Sequence, residues 1–132
     1  MTRSELERRT KLFSLEVIRF IDNLAATTAG RIMGAQLLRS ATSVGANYRE
    51  ANRAESRRDL GHKIAIIEKE AAESLYWIEL FEEAMIGDSD KRTYLLNECN
   101  QLVAIFTRIG KTCKQTQPRK SEIRIPKSEF PS

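Results

Sequence analysis

The chain has 132 residues, enough for one domain with a single core, and 30% of them are charged. Basic side chains outnumber acidic ones, 22 to 18, and only three Pro and six Gly interrupt the chain, a composition that suits long helices. The sequence contains no run of 18 apolar residues, and residues 1–11 are charged, which argues against a membrane-spanning helix and a signal peptide. We therefore expect a cytoplasmic protein without a membrane partner.

The 3.6-residue spacing of apolar side chains predicts four helices. They cover residues 4–26, 31–51, 56–86 and 90–114. The sequence TTAG, residues 27–30, is predicted to break the first helix from the second. Ser56 is predicted to cap the third helix in a capping box with Asp59, and either Asp88 or Ser89 to cap the fourth.

The third and fourth helices carry apolar residues at alternating spacings of four and three, as in the contact line of a helical bundle. In the third helix the positions are Leu60, Ile64, Ile67, Ala71, Ser74, Ile78, Phe81 and Met85. In the fourth they are Leu95, Cys99, Leu102, Phe106, Ile109 and Cys113. Three short connections then predict an all-α, antiparallel up-down-up-down four-helix bundle over residues 1–114. Residues 115–132 hold all three prolines and are predicted to form a disordered basic tail.

The second helix is unusual because one face carries a row of polar side chains beside small ones. This polar ladder consists of Gln36, Arg39, Ser43, Asn47 and Glu50, and it is flanked by Ala35, Thr42 and Ala46. A solvated face is one interpretation. The other is a hydrogen-bonded contact between subunits, which small residues would allow to approach closely. The ladder contains one Glu and no Lys, which favours the contact.

A family resemblance is carried by residues 36–74, QLLRSATSVGANYREANRAESRRDLGHKIAIIEKEAAES. This segment resembles the four-helix-bundle proteins encoded by intervening sequences of large-subunit (23S) ribosomal RNA genes. The positions that match the family pattern are Gln36, Arg39, Ala41, Ser43, Val44, Gly45, Ala46, Asn47, Tyr48, Glu50, Ser56 and Ala71. One departure is Ala51, where many members have Gly, and it should alter only the end of the helix.

The resemblance implies an antiparallel four-helix bundle that assembles as a ring-like homopentamer. A relative with a similar fold is the accessory protein of diversity-generating retroelements, which works with a reverse transcriptase and nucleic acid. The biochemical role of most members is not established, so the resemblance bears on fold and assembly more than on function.

Charge is distributed unevenly between the two ends of the predicted bundle. One end gathers residues 1–11, 49–63 and 108–132, with sixteen basic and seven acidic side chains, whereas residues 79–92 at the other end have two basic and five acidic. We predict a basic rim at the first end that binds the backbone of RNA or DNA. Its residues are Arg8, Arg9, Lys11, Arg49, Arg53, Arg57, Arg58, Lys111 and Lys114.

An alternative for the basic rim is that its arginines make local ion pairs and are merely solvated. The pairs would join Arg49, Arg53 and Arg57 to Glu50, Glu55 and Asp59. No aromatic residues alternate with these arginines, which favours contact with the sugar-phosphate backbone over stacking on single-stranded bases.

The residues that catalysis or metal binding needs are sparse. His62 is the one histidine, and the two cysteines, Cys99 and Cys113, fall on an apolar face 14 residues apart, too far for a disulfide on one helix. Glu70 and Glu73 share a helix face, but nothing in the sequence supplies a pocket around them, so they are predicted to be structural. We expect no enzyme activity, no metal and no cofactor.

Together these observations predict a non-enzymatic homo-oligomer, a pentamer, whose basic rim binds nucleic acid. The alternative is a protein-interaction scaffold, in which the basic end or the tail binds a partner protein such as a polymerase-like enzyme.

Overall fold

The computed structural model describes residues 1–116, which form four α-helices joined by short loops. The helices are α1 (Arg3–Asp22), α2 (Thr28–Ala51), α3 (Arg57–Glu83) and α4 (Ser89–Thr116). Each helix packs against its neighbours in the chain, and α4 closes the bundle against α1. Because the loops are short, consecutive helices run antiparallel. The predicted all-α up-down-up-down four-helix bundle is therefore confirmed.

The predicted tail, residues 115–132, lies outside the described residues except for its first two positions. Gln115 and Thr116 continue α4 instead of starting the tail. None of the four helices in residues 1–116 combines the length and the hydrophobicity that a membrane span needs.

Polar side chains fix where α1 and α3 begin. Glu5 N donates to Thr2 Oγ1 at 3.0 Å, and Thr2 N donates to the Glu5 carboxylate at 2.7 Å, which completes a capping box on α1. On α3, Asp59 N donates to Ser56 Oγ at 3.0 Å, so Ser56 is the predicted N-cap. Both caps satisfy amides that the first turn of a helix leaves unpaired.

The break between α1 and α2 lies earlier than predicted. α1 ends at Asp22, and residues 28–30 of the predicted break form the first turn of α2. Thr27 is the N-cap, and its Oγ1 accepts a hydrogen bond from Gly30 N at 3.0 Å. The cap stabilises this first turn although Thr and Gly are poor helix formers, which is why propensity placed the boundary wrongly.

The turn between α3 and α4 depends on Gly87. Its φ is +89°, and a Cβ there would lie 2.5 Å from the ring of Phe20. Met85 also has a positive φ, 56°, so α3 ends at Glu83, short of the predicted end at residue 86. Asp88 caps α4, because its carboxylate accepts a hydrogen bond from Lys91 N at 3.0 Å.

The core is built from apolar side chains of all four helices, and it includes the predicted positions of α3 and α4. Met85 is the exception, because it lies beyond the end of α3 and is 78% exposed. Phe20 and Phe81 meet edge to face with centroids 5.1 Å apart. Nearer the other end of the bundle, the rings of Tyr48 and Phe106 also meet edge to face, with centroids 5.4 Å apart. Cys99 is fully buried among these residues, as predicted, and burial raises the pKa of its thiol to about 12. It therefore behaves as a small apolar side chain.

The small residues of α2 let it approach both of its neighbours closely. Ser74 Oγ donates to Ser40 Oγ at 2.9 Å inside the contact between α2 and α3. On the other side, a Cβ on Gly45 would lie 3.4 Å from the backbone of Thr10 in α1. Larger side chains at these positions would hold the helices apart. The small residues of α2 therefore serve the packing of helices within the subunit.

Candidate nucleic-acid interface

A surface groove brings three residues of the predicted rim together. Lys11 of α1, Arg49 near the end of α2 and Arg53 in the loop after it line a groove of about 640 Å³, to which α3 adds Lys63. The groove exists because Gly45 and Ala46, among the residues that line it, are too small to fill the space between the long side chains on either side. None of the described residues that line it is aromatic. This composition suits a phosphate backbone better than a stacked base.

Acidic side chains neutralise part of this groove. Arg49 Nε lies 4.0 Å from a carboxylate oxygen of Glu7 on α1. Lys63 Nζ lies 2.8 Å from the Glu50 carboxylate, and this hydrogen bond raises the pKa of Lys63. These pairs join different helices and replace the local pair between Arg49 and Glu50 that was predicted as an alternative.

Two arginines of the predicted rim have side chains that are paired or buried. Arg9 lies on the side of the bundle, where its Nε is 2.7 Å from the Glu98 carboxylate and its Nη2 donates to Gln101 at 2.6 Å. This hydrogen-bonded pair raises the pKa of Arg9. Arg57, the first residue of α3, is only 7% exposed. Neither guanidinium is free to contact a phosphate in this structure.

The other rim residues are exposed at the same end of the bundle. They are Arg8, Lys11, Arg53, Arg58, Lys111 and Lys114, and none of them forms an ion pair within residues 1–116. Arg58 lies slightly apart, beside a shallow depression that it lines with Asp59 and His62. These unpaired cations make this end the positive pole of the described chain.

The opposite end of the bundle is acidic. Glu83, Asp88 and Asp90 are exposed there. The basic Arg92 is only 7% exposed, and its Nε donates to Glu82 at 2.9 Å while a second nitrogen donates to the carbonyl of Gly87. Arg92 therefore stabilises the turn between α3 and α4, and its charge is paired with that of Glu82.

The polar ladder of α2 makes contacts within the subunit. Arg39 donates to the carboxylate of Glu70 at 3.3 Å and to that of Glu73, both on α3. Glu73 also accepts a hydrogen bond from Trp77 Nε1 at 3.0 Å. The Trp77 bond, followed by the Arg39 bond, lowers the pKa of Glu73. Glu70 and Glu73 thus both pair with Arg39, a partner that no local sequence pattern indicates.

The middle of the ladder bonds to its own helix. Ser43 Oγ donates to the carbonyl of Arg39 at 2.9 Å, and Asn47 Nδ2 donates to the carbonyl of Ser43 at 2.8 Å. Gln36 accepts a long hydrogen bond from Arg39 Nε at 3.4 Å, and Glu50 is paired with Lys63. The ladder therefore covers the outer edge of the contact between α2 and α3.

A second surface was not identified from the sequence. Leu12, Leu15 and Ile18 of α1 lie on its outer face with 45%, 38% and 37% of their areas exposed. Leu12 and Ile18 lie beside the apolar stripe of this helix in the sequence pattern, yet both face outward in the structure. Leu12, Leu15 and Ile18 follow one another at intervals of three residues, and this spacing drifts round the helix away from the core. It was the sequence signal that could have identified an exposed apolar surface. We refer to these three residues as the α1 apolar stripe.

The described residues contain no group of three or more His, Cys, Asp or Glu side chains placed to hold a metal ion.

Comparison with known proteins agrees with the predicted resemblance. The family model for the 23S rRNA-intervening sequence protein matches residues 4–108. A crystal structure at 1.70 Å resolution is also similar, that of a protein with unknown function from the S23 ribosomal protein family of Bacteroides thetaiotaomicron VPI-5482. The two share 30% sequence identity and a TM-score of 0.74, over 84% of this chain and 99% of that one. No functionally curated protein matches the sequence. The chain belongs to the 23S rRNA-intervening sequence protein family.

Proposed function

We propose that this protein is a non-enzymatic homo-oligomer, a pentamer, that binds the backbone of RNA or DNA through its basic end. The observation that carries the proposal is that six residues of the predicted rim are exposed and form no ion pair within residues 1–116. They are Arg8, Lys11, Arg53, Arg58, Lys111 and Lys114. Such a surface releases counterions when it meets phosphates, and this favours binding without sequence preference.

Assembly would strengthen this binding. Five copies in a ring would repeat the six cations around one rim, and several weak contacts to one nucleic acid add their binding free energies.

The rim proposed here differs from the predicted one, because Arg9 and Arg57 are left out. Lys11 and Arg53 become its centre, in the groove between α1 and α2.

The α1 apolar stripe supports oligomerisation better than the polar ladder does. Three neighbouring large apolar side chains exposed on one helix are unfavourable in water and gain free energy when a second subunit covers them. The ladder gains less, because Arg39 and Glu50 already have partners on α3. We therefore place the main contact between subunits at the stripe.

The nucleic-acid proposal is tested by light scattering coupled to size exclusion, with a generic RNA duplex at low and moderate salt. We expect a mass near five times 15.1 kDa that increases with RNA at low salt and reverts as salt rises. Replacing Lys11 and Arg53 by Glu should abolish the increase and keep the mass of the free protein. The matched control replaces Lys69 and Lys91, exposed or half-exposed elsewhere, by Glu and should still bind.

Binding that persists in the Lys11→Glu, Arg53→Glu variant would overturn the assignment of the rim. The contact between subunits is tested separately with Leu15→Glu and Asn47→Leu. Leu15→Glu should shift the mass towards one subunit, whereas Asn47→Leu should leave it unchanged, because Asn47 bonds within its own helix. The reverse result would restore the ladder as the contact.

A protein-interaction scaffold remains the second candidate, and the α1 apolar stripe favours it too, since a partner protein could cover the same side chains. An oligomer that ignores RNA at every salt concentration would support this candidate. Removing residues 117–132 discriminates further. A scaffold that binds its partner, such as a polymerase-like enzyme, through the tail would lose that partner, whereas binding of nucleic acid by the rim should weaken only modestly.

A further inference from the structure

An apolar cleft opens at the basic end of the bundle, separate from the groove between α1 and α2. It has a volume of about 400 Å³ and is lined by residues from all four helices and the loop between α2 and α3. Its lining is mostly apolar and includes Leu60, Ile64 and Ile109. Two exposed residues of opposite charge, Arg3 and Glu55, also line it. An apolar interior with both charges at its edge fits a short peptide with alternating apolar and charged residues.

The chain itself continues from this cleft. Cys113 lines the cleft, and α4 ends at Thr116, three residues or about 4.5 Å of helix rise further on. The sixteen residues that follow, 117–132, contain three large apolar side chains, Ile123, Ile125 and Phe130. Two of these three are in the sequence Glu-Ile-Arg-Ile, residues 122–125.

We propose that residues 122–125 of the same chain bind in this cleft. In an extended segment alternate side chains point to opposite faces, so Ile123 and Ile125 would share one face and fill the apolar interior. Glu122 and Arg124 would share the other face. They have the charges that complement Arg3 and Glu55.

The length of the intervening chain permits this arrangement. Six residues, 117–122, can span about 20 Å when extended, and packed helices lie only about 8–10 Å apart. The segment therefore reaches any part of the cleft without unwinding α4. Because it is tethered, its effective concentration at the cleft is on the order of millimolar, so it outcompetes a free peptide of similar affinity.

Cys113 provides a local reporter of the cleft. It is 4% exposed, whereas Cys99, fourteen residues earlier on α4, is 0% exposed in the middle of the core. Burial raises the pKa of both thiols, so each reacts with alkylating reagents only when its surroundings open. An opening of the cleft alone should expose Cys113 and leave Cys99 protected.

The experiment measures the rate at which a maleimide labels each cysteine in the full-length chain, resolved by peptide mass spectrometry. Replacing Ile123 and Ile125 by Asp should raise the labelling rate of Cys113 by about tenfold or more and leave that of Cys99 unchanged. The matched control replaces Ser121 and Ser128 by Asp, which adds the same charge to the same segment without removing apolar area. Its Cys113 should be labelled as slowly as in the unchanged chain.

Equal labelling of Cys113 in the two variants would overturn the proposal. If Cys99 also became reactive in the Ile123→Asp, Ile125→Asp variant, a second measurement would decide. With diamide as the oxidant, Ile123→Cys should form an intramolecular disulfide with Cys113 much faster than Ser128→Cys does. Similar rates for these two variants would also overturn the proposal. None of these results depends on whether the protein binds nucleic acid.

Discussion

Ser74 donates its hydroxyl to Ser40 across 2.9 Å in a fully buried part of the contact between α2 and α3. The single hydroxyl proton of Ser74 is shared with the carbonyl of Glu70, also at 2.9 Å, and Ser40 donates to the carbonyl of Leu37 at 3.3 Å. Both hydroxyls are therefore satisfied by polar atoms of their own helices as well as by each other. The two serines occupy less space than larger apolar side chains would, and they therefore set how closely the two helices approach.

Replacing Ser40 by Leu should destabilise the fold by about 1–3 kcal/mol, because the larger side chain must push α2 away from α3. Urea unfolding monitored by circular dichroism measures the change. Ser40→Ala is the matched control. Ser40→Ala should lower the free energy of unfolding clearly less than Ser40→Leu, since Ser74 keeps its bond to the Glu70 carbonyl. Equal losses in the two variants would show that the hydroxyl, and not the small size, is what this position requires.

The pair of Arg9 and Glu98 should couple α1 to α4. Its side chains are 25% and 13% exposed, and two nitrogens of Arg9 contact the carboxylate at 2.7 and 3.0 Å. A double-mutant cycle with Arg9→Met and Glu98→Gln should give a coupling free energy of about 1 kcal/mol, because each single change leaves a half-buried polar partner behind. Chemical unfolding of the four proteins supplies the cycle, and strictly additive losses would contradict the prediction.

Gly87→Ala should destabilise the turn between α3 and α4 by about 2 kcal/mol or more. The φ of +89° disfavours any L side chain, and the new Cβ would meet the ring of Phe20. Gly110→Ala is the control within α4. Its Cβ would meet the carboxylate of Glu68, a flexible side chain that can move, and Ala gains about 1 kcal/mol of helix propensity. Thermal unfolding should therefore separate the two variants clearly.

The fold could be predicted from the sequence because apolar periodicity and caps such as Ser56 are local signals. The site was predicted less well, since partners across helices are not local. Arg8 and Arg9 are adjacent in sequence and have the same charge, yet Arg9 faces Glu98 and Arg8 is exposed. No pattern around residue 9 indicates which residue of α4 lies opposite. No local pattern identifies the partners of Arg39 either, because they lie on α3 more than 30 residues away.

Glu73 should make the stability of the fold depend on acidic pH. Hydrogen bonds from Trp77 and Arg39 lower its pKa below the ordinary 4.5 in the folded chain. A carboxylate with a lowered pKa stabilises the fold fully above its unfolded value, and this contribution is lost as the pH falls through the lower folded value. Glu73→Gln should therefore be less stable than the unchanged chain at pH 7, and the difference should shrink as the pH falls below about 4.5. Trp77, the one tryptophan, reports unfolding in urea by fluorescence. Glu83→Gln removes an exposed carboxylate from the same helix and should show no such convergence, and a constant difference for Glu73→Gln across this range would contradict the role of its charge.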